Sequence, residues 1–237
     1  MSTNPADAVS VAACIACVAF IVLFQYLVSA RLSTETHNGI ARRGDLHLQR
    51  KVQHMGTGAM IYVASRYFGR RAGCLVLLLF AALFYGLHKL RGCNKAIDTA
   101  YIKCFRNILR QYEVSRTVLP GAYYFLLGSG LSLRLFSFRV ARLAILHLSV
   151  GDPAAAFFGT LYGRHKFVKY IGKLGGKKSV EGSIGGGILA FASTISLAAG
   201  TAAAAAELLD IGGWDDNITL PLLSGVFLQV TVGNLLN

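Results

Sequence analysis

Residues Ala8–Ala30, AVSVAACIACVAFIVLFQYLVSA, carry no charged side chain. A run of about 20 apolar residues is long enough to cross the hydrocarbon core of a bilayer as a helix. Backbone at that depth must satisfy its own hydrogen bonds, which leaves helices and closed barrels as the spanning structures. Only Asp7 precedes the run in charge, so a basic leader is missing and the segment reads as a retained transmembrane helix, not a cleaved signal. Six further apolar stretches follow, at His54–Phe68, Gly73–Leu87, Thr117–Arg134, Val140–Tyr162, Ile184–Leu208 and Ile218–Leu236, the second and third spans being short. The expectation is an all-α fold: a polytopic membrane bundle of about seven transmembrane helices, forming one integral-membrane domain over residues 1–237 with residues 8–30 as its first helix.

The net charge of +13 invites a nucleic-acid reading. The placement of the charge argues against it. Residues 31–53, 89–116 and 163–183 hold 5, 7 and 6 of the 24 basic residues, in alternate loops of a seven-helix chain. That asymmetry is the positive-inside pattern, which puts these loops in the cytosol and the N-terminus outside. The partner implied is the lipid bilayer, and no nucleic acid. Residues 89–116 read as an interfacial amphipathic helix with Ile102, Phe105, Ile108 and Leu109 on one face. Of the five cysteines, only Cys14 and Cys17 have metal-like spacing, and they lie in an apolar helix without other ligands, as packing residues do. The small-residue runs Gly185–Gly187 and Gly200–Leu209 predict closely packed helices.

Four polar clusters interrupt this pattern. QRKVQHMGTG places Arg50, Lys51 and His54 at the entrance to the second span. SVGDPAAAF sets Asp152 beside Pro153 inside an apolar stretch. GGKKSVEGS carries Lys177, Lys178, Ser179, Glu181 and Gly182, and WDDNITLP carries Asp215, Asp216 and Asn217. An ionisable group at membrane depth costs several kcal/mol and normally faces a polar interior. Pro153 lacks a backbone donor, so with Gly151 it predicts a broken helix near Asp152.

A carboxylate on such a segment suits Mg²⁺, which takes one or two carboxylates and leaves its other positions to water and phosphate. Gly159 and Gly163 would let backbone approach a bulky ligand, and Lys166, Lys177 and Lys178 would neutralise a polyphosphate. GKLGGKKS lacks the spacing of a Walker A loop, and no dinucleotide-binding glycine pattern is present. The residues themselves leave three readings open: a phosphate-handling membrane enzyme, a transporter with an intramembrane Asp, and a scaffold. Simpler roles stand beside these, His54 as a helix-end residue and Asp215 and Asp216 as a helix cap.

The pattern resembles the CTP-dependent lipid kinases, the family of dolichol kinase, phytol kinase and the fungal-type diacylglycerol kinase. Four elements carry the resemblance across residues 50–225: Arg50, Lys51 and His54; Asp152, Ala155 and Gly159; Lys177, Lys178, Ser179, Glu181 and Gly182; and Asp216, Asn217, Pro221 and Leu222. Ser179 stands where the family has Thr. The resemblance implies transfer of the γ-phosphoryl group of CTP to a membrane lipid alcohol, diacylglycerol or a polyprenol such as dolichol, in the endoplasmic reticulum with the site facing the cytosol.

It also implies roles. Asp152 would hold Mg²⁺, while Gly159, Gly163, Lys166, Lys177, Lys178 and Gly182 would bind the nucleotide. Ser179 and Glu181 would orient that loop or support the metal. His54 would act as general base, with Arg50 and Lys51 on phosphate or headgroup. Asp216 would complete the metal site and Asn217 would support metal or acceptor. A phosphatidate cytidylyltransferase would use a similar site and is the closest alternative. Alternation of seven helices puts Asp216 and Asn217 on the membrane face opposite the lysine loop, so either a span is miscounted or these residues reach across.

Overall fold

The computed structural model describes residues 16–17, 19–21, 23–27, 48–65, 69–105, 109, 111–114, 118–166, 178–194, 197–209, 211 and 214–236. Among them all regular structure is helical, apart from an isolated antiparallel bridge between Lys166 and Ser179. The described parts of the first apolar run are helical. Then come α1 (Leu48–Ala64), α2 (Arg70–Cys93), α3 (Lys95–Phe105), the single turn α4 (Gln111–Val114), α5 (Gly121–Leu135) and α6 (Phe138–Leu146). A π turn (His147–Gly151) leads into α7 (Asp152–Tyr162), followed by α8 (Val180–Thr194), α9 (Leu197–Leu208) and α10 (Asp216–Leu236).

Local chemistry sets the boundaries. Asn94 is extended and ends α2, and its Oδ1 accepts from the N–H groups of Ala96 (2.8 Å) and Ile97, starting α3. Pro120, also extended, opens α5. Pro153 follows the π turn inside a continuous helix, and the N–H it lacks leaves the Leu148 carbonyl to a side chain. The expected break at Asp152 is therefore absent. The chain runs from Phe138 to Tyr162 as one 25-residue helix, widened to a π turn.

That long helix is the centre of the molecule. Val140, Ala141, Ala144 and Leu148 are fully buried, and Ala199, Leu133 and Leu228 close around them. α2 packs on α5, while α10 lies against α5, α6 and α9. Among the described residues two helices, Arg70–Cys93 and Phe138–Tyr162, are long and apolar enough to cross a membrane. The outer surface is apolar: Leu75, Leu79 and Leu83 form a stripe of side chains more than half exposed along α2, and Ile184 and Ile188 do the same on α8. Inside lie Ser129, Ser132, His147, Ser149 and Ser224. Ser132 and Ser149 satisfy themselves by donating to the carbonyls of Gly128 and Ile145, one turn back.

Residues 184–208 form two helices, not the one span expected. Gly187 backs onto Gly200 and Ala204, where a Cβ would come within 2.8 Å of the Ala204 methyl. Gly200 in turn faces the Gly187 carbonyl and Phe191. These pairings are antiparallel, so the chain reverses between Thr194 and Leu197, and small residues let the two backbones touch. The hairpin brings the end of α9 back towards the start of α8, and Asp216 at the start of α10 lies 3.1 Å from Lys178. α10 keeps Pro221 inside it, and its start crosses α5 where the Asn217 carbonyl fills the place of a side chain at Gly128.

At the end of α2, Arg91 is buried, donates to Asp98 Oδ1 at 3.0 Å and lies 4.0 Å over the Tyr101 ring. The pair fixes α3 against α2. Removing one member of a buried pair leaves an uncompensated charge and costs about 3–5 kcal/mol, whereas an apolar replacement of both is far milder. Asp98→Ala is expected to lower the thermal unfolding midpoint in detergent strongly, and the double variant Arg91→Met/Asp98→Leu to recover most of it.

Candidate functional site

The four polar clusters of the sequence converge where α1 meets the starts of α7, α8 and α10, and the end of α9 joins them. Lys178 lies at the centre. Its Nζ donates to Glu207 Oε1 at 2.9 Å and stands 3.1 Å from Asp216 Oδ2. An ammonium has three donors, so a third remains for a further partner. Burial by itself would lower the Lys178 pKa, but Glu207, Asp216 and Asp152 outweigh it and hold the ammonium above its ordinary value. Burial raises the pKa of Asp216 although Lys178 pulls the other way.

Asp152 stands at the π turn, a quarter exposed, with its Oδ2 3.7 Å from His54 Nε2 on α1. It also lies in the electrostatic field of Lys51, Lys178 and Asp216. His54 Nε2 is 2.8 Å from the Leu148 carbonyl. Pro153 accounts for this contact. The Asp152 N–H bonds to His147, five residues back, as a π turn requires. The next donor along the spiral would be the nitrogen of residue 153, but proline has none. The Leu148 carbonyl is thus left for a side chain, and His54 supplies it. A carbonyl only accepts, so Nε2 carries the hydrogen. That arrangement does not fit Nε2 as the base expected from the sequence, because the nitrogen is already a donor.

The glycine-rich elements build the floor of the site. Ser179 caps α8, its Oγ accepting from the Gly182 N–H at 3.2 Å. Gly163 and Gly182 close on that hydroxyl so tightly that a Cβ at either would approach it to 3.0 Å or less, with the Gly159 Cα alongside Gly182. These glycines hold α7 against α8. Glu181 accepts from the His165 backbone N–H and from its ring, 2.6 Å away. Its own backbone N–H and the His165 ring hold its carboxyl down at about 2. Lys166 bridges to Ser179 and is exposed. Lys177 lies outside the described residues, as does the side chain of Arg50.

Asp215 is the cap of α10: its Oδ1 accepts from the Asn217 N–H at 3.0 Å and from the Asn217 side-chain amide at 2.6 Å. The simpler reading thus holds for Asp215, while Asp216 turns to Lys178. Asn217 also donates to the Gly121 carbonyl at 3.4 Å. Glu207 is absent from the sequence-based site. It ends the alanine run of α9, where a lone acid in an apolar stretch was the available signal.

One lysine among three carboxylates leaves the cluster net negative, which a triphosphate would not enter unaided. Asp152 and Asp216 are both part-exposed and face the same lysine. They fit a Mg²⁺ ion, which asks for one or two carboxylates and leaves the rest to phosphate. Among the described residues no group of three or more His, Cys, Asp or Glu is arranged as an all-protein metal cage.

No protein-family model matches the chain, and no solved structure matches it. It is similar to the CTP-dependent diacylglycerol kinase 1 of Eremothecium gossypii, 25% identical over 170 residues that cover 58% of this chain and 51% of that protein. It is also similar to the CTP-dependent diacylglycerol kinase 1 of Saccharomyces cerevisiae, 24% identical over 219 residues that cover 78% of this chain and 73% of that protein. The chain thus spans about half the length of the first relative and about three quarters of the second.

Proposed function

We propose that this protein is a CTP-dependent lipid kinase that phosphorylates diacylglycerol to phosphatidate. The observation that carries the reading is the convergence of Lys178, Asp152, Asp216 and Glu207 at one site beside His54. The similarity to two CTP-dependent diacylglycerol kinases supports the donor, the acceptor class and the transfer. The chain acts as one membrane-embedded helical bundle in the endoplasmic reticulum. With the α8–α9 hairpin returning to its starting side, the site and the basic loops share the cytosolic face.

Phosphoryl transfer asks a protein for alignment and charge neutralisation more than for covalent chemistry. The remaining Lys178 donor meets a phosphate oxygen, while Lys166, Lys177 and the exposed end of the α7–α8 loop meet the rest of the triphosphate. Asp152 and Asp216 would hold Mg²⁺, which would neutralise charge on the phosphate oxygens. The bond from γ-phosphorus to the β-phosphate oxygen breaks, the bond to the lipid oxygen forms, and CDP leaves. The hydroxyl proton goes to a carboxylate oxygen of Asp152, which stands 3.7 Å from His54 Nε2 on α1. Arg50 and Lys51, at the start of α1, would bind phosphate or an anionic headgroup.

Purified protein given diacylglycerol and CTP labelled on its γ-phosphate should place the label in phosphatidate, and dolichol should be a poor acceptor in the same assay. Label in pyrophosphate with CMP joined to lipid would instead mark cytidylyl transfer, and nucleotide uptake by liposomes without lipid product would mark a transporter. Asp152→Asn should lower kcat by about 10³-fold with an unchanged fold by circular dichroism. Glu207→Gln removes the buried partner that aims Lys178, and is expected to raise KM for CTP by about tenfold while KM for lipid stays put. Pro153→Ala gives the Leu148 carbonyl a backbone donor, so His54 should lose its bond. The expected signature is a changed ¹⁵N shift of the His54 ring and a lower kcat at unchanged KM for CTP.

A further inference from the structure

Beside the charged site lies a cavity of about 200 Å³ that the phosphate chemistry leaves unused. Most of its wall is apolar: Phe80 and Phe84 of α2, Phe105 of α3, and Phe125 and Leu126 of α5. One end is polar, where Gln25, Gln53, His54 and Thr57 meet Asn217. An apolar cavity of about 150 Å³ accommodates benzene, so this one holds a short stretch of hydrocarbon, not a whole lipid.

The polar end points to the occupant. His54 is the same residue that faces Asp152, and Asn217 follows Asp216, the partner of Lys178. Asn217 is 4% exposed, and its Oδ1 has no hydrogen-bond partner among the described residues. An unpaired buried amide oxygen is costly unless a donor reaches it. An alcohol O–H is such a donor. The opposite wall is the segment α3–α4, pinned by Arg91 and Asp98 and by Glu113, which accepts from the Gly121 N–H at 2.8 Å.

We propose that this cavity is the acceptor subsite: the free hydroxyl of a diacylglycerol donates to Asn217 Oδ1 beside His54 until it turns to Asp152 for transfer, and the first carbons of one acyl chain lie against Phe80, Phe84 and Phe125 under the α3–α4 cover. The assignment rests on the kinase reading for the identity of the alcohol and on the cavity for its place. It makes Phe84 and Ala122 determinants of acyl-chain acceptance, since Ala122 lines the same space and its exposed methyl leaves room to build inward.

The test uses full-length protein in detergent–lipid micelles and a diacylglycerol carrying a diazirine near the carboxyl end of one acyl chain. Photolysis should label the peptides holding Phe80–Phe84 and Gly121–Leu126. Ala122→Phe should cut that labelling and raise KM for long-chain diacylglycerol about tenfold, with kcat and KM for CTP little changed, as loss of uniform binding requires. Phe84→Trp, which narrows the cavity from the other wall, should act likewise if Ala122→Phe folds poorly. Labels confined to the outer face of α2 at Leu75 and Leu79, or unaltered acceptor kinetics in both variants, would overturn the subsite. Labelling within the cavity by a protein that moves no phosphate from CTP would overturn the kinase reading and leave a lipid site.

Discussion

The Lys178 ammonium is the charge on which the arrangement turns. It is mostly buried, and it is held there by carboxylates from two helices that are distant in sequence, Glu207 and Asp216. Such a pair contributes little net stability against an apolar substitute, because desolvation consumes most of the attraction. What it secures is geometry. An unpaired ammonium at this depth is costly, so the ends of α9 and α10 are committed to meet the start of α8 at this point. The α8–α9 hairpin, with its facing glycines and alanines, brings Glu207 back within reach.

Several serines and a central histidine are buried within the apolar core while a leucine stripe is outside, which suits a hydrocarbon surround and an interior in which polar groups converge. In the proposed enzyme this separates two substrates by chemistry. A charged nucleotide meets lysine and carboxylates, and a greasy acceptor meets phenylalanines. His54 and Asn217 stand on the boundary between the two environments, which is where a hydroxyl attacking a phosphate must sit.

Much of this could be read in the sequence. The apolar runs gave the helical class, and the polar interruptions marked Asp152, Lys178 and Asp216, because an ionisable group in an apolar stretch is expensive enough to need a reason. The hairpin at 184–208 could not be read. A turn between two small-residue helices carries no proline and no charge, so hydropathy runs through it without a dip. Glu207 escaped for a related reason: five alanines before it set the helical period and gave no face to compare it with. The partner of His54 is a backbone carbonyl freed by a proline, and sequence spacing carries no trace of a contact 94 residues away. The sequence reads Gly159 and Gly163 as room for a ligand, whereas in the structure Gly163 and Gly182 close on the hydroxyl of Ser179.

The π turn at His147–Gly151 has one further consequence, in helical phase. It accommodates one residue more than an α-helix of the same rise, and each residue of an α-helix subtends about 100°. The half of the long helix that begins at Asp152 is therefore rotated relative to the half that forms the core. The same rod can bury valine and alanine on one azimuth below and present an acid on another above. A chain shortened by one residue in this turn would swing the carboxylate, and with it the face of α7 that packs on α8, about a quarter of the way round the axis, away from the groups it now faces.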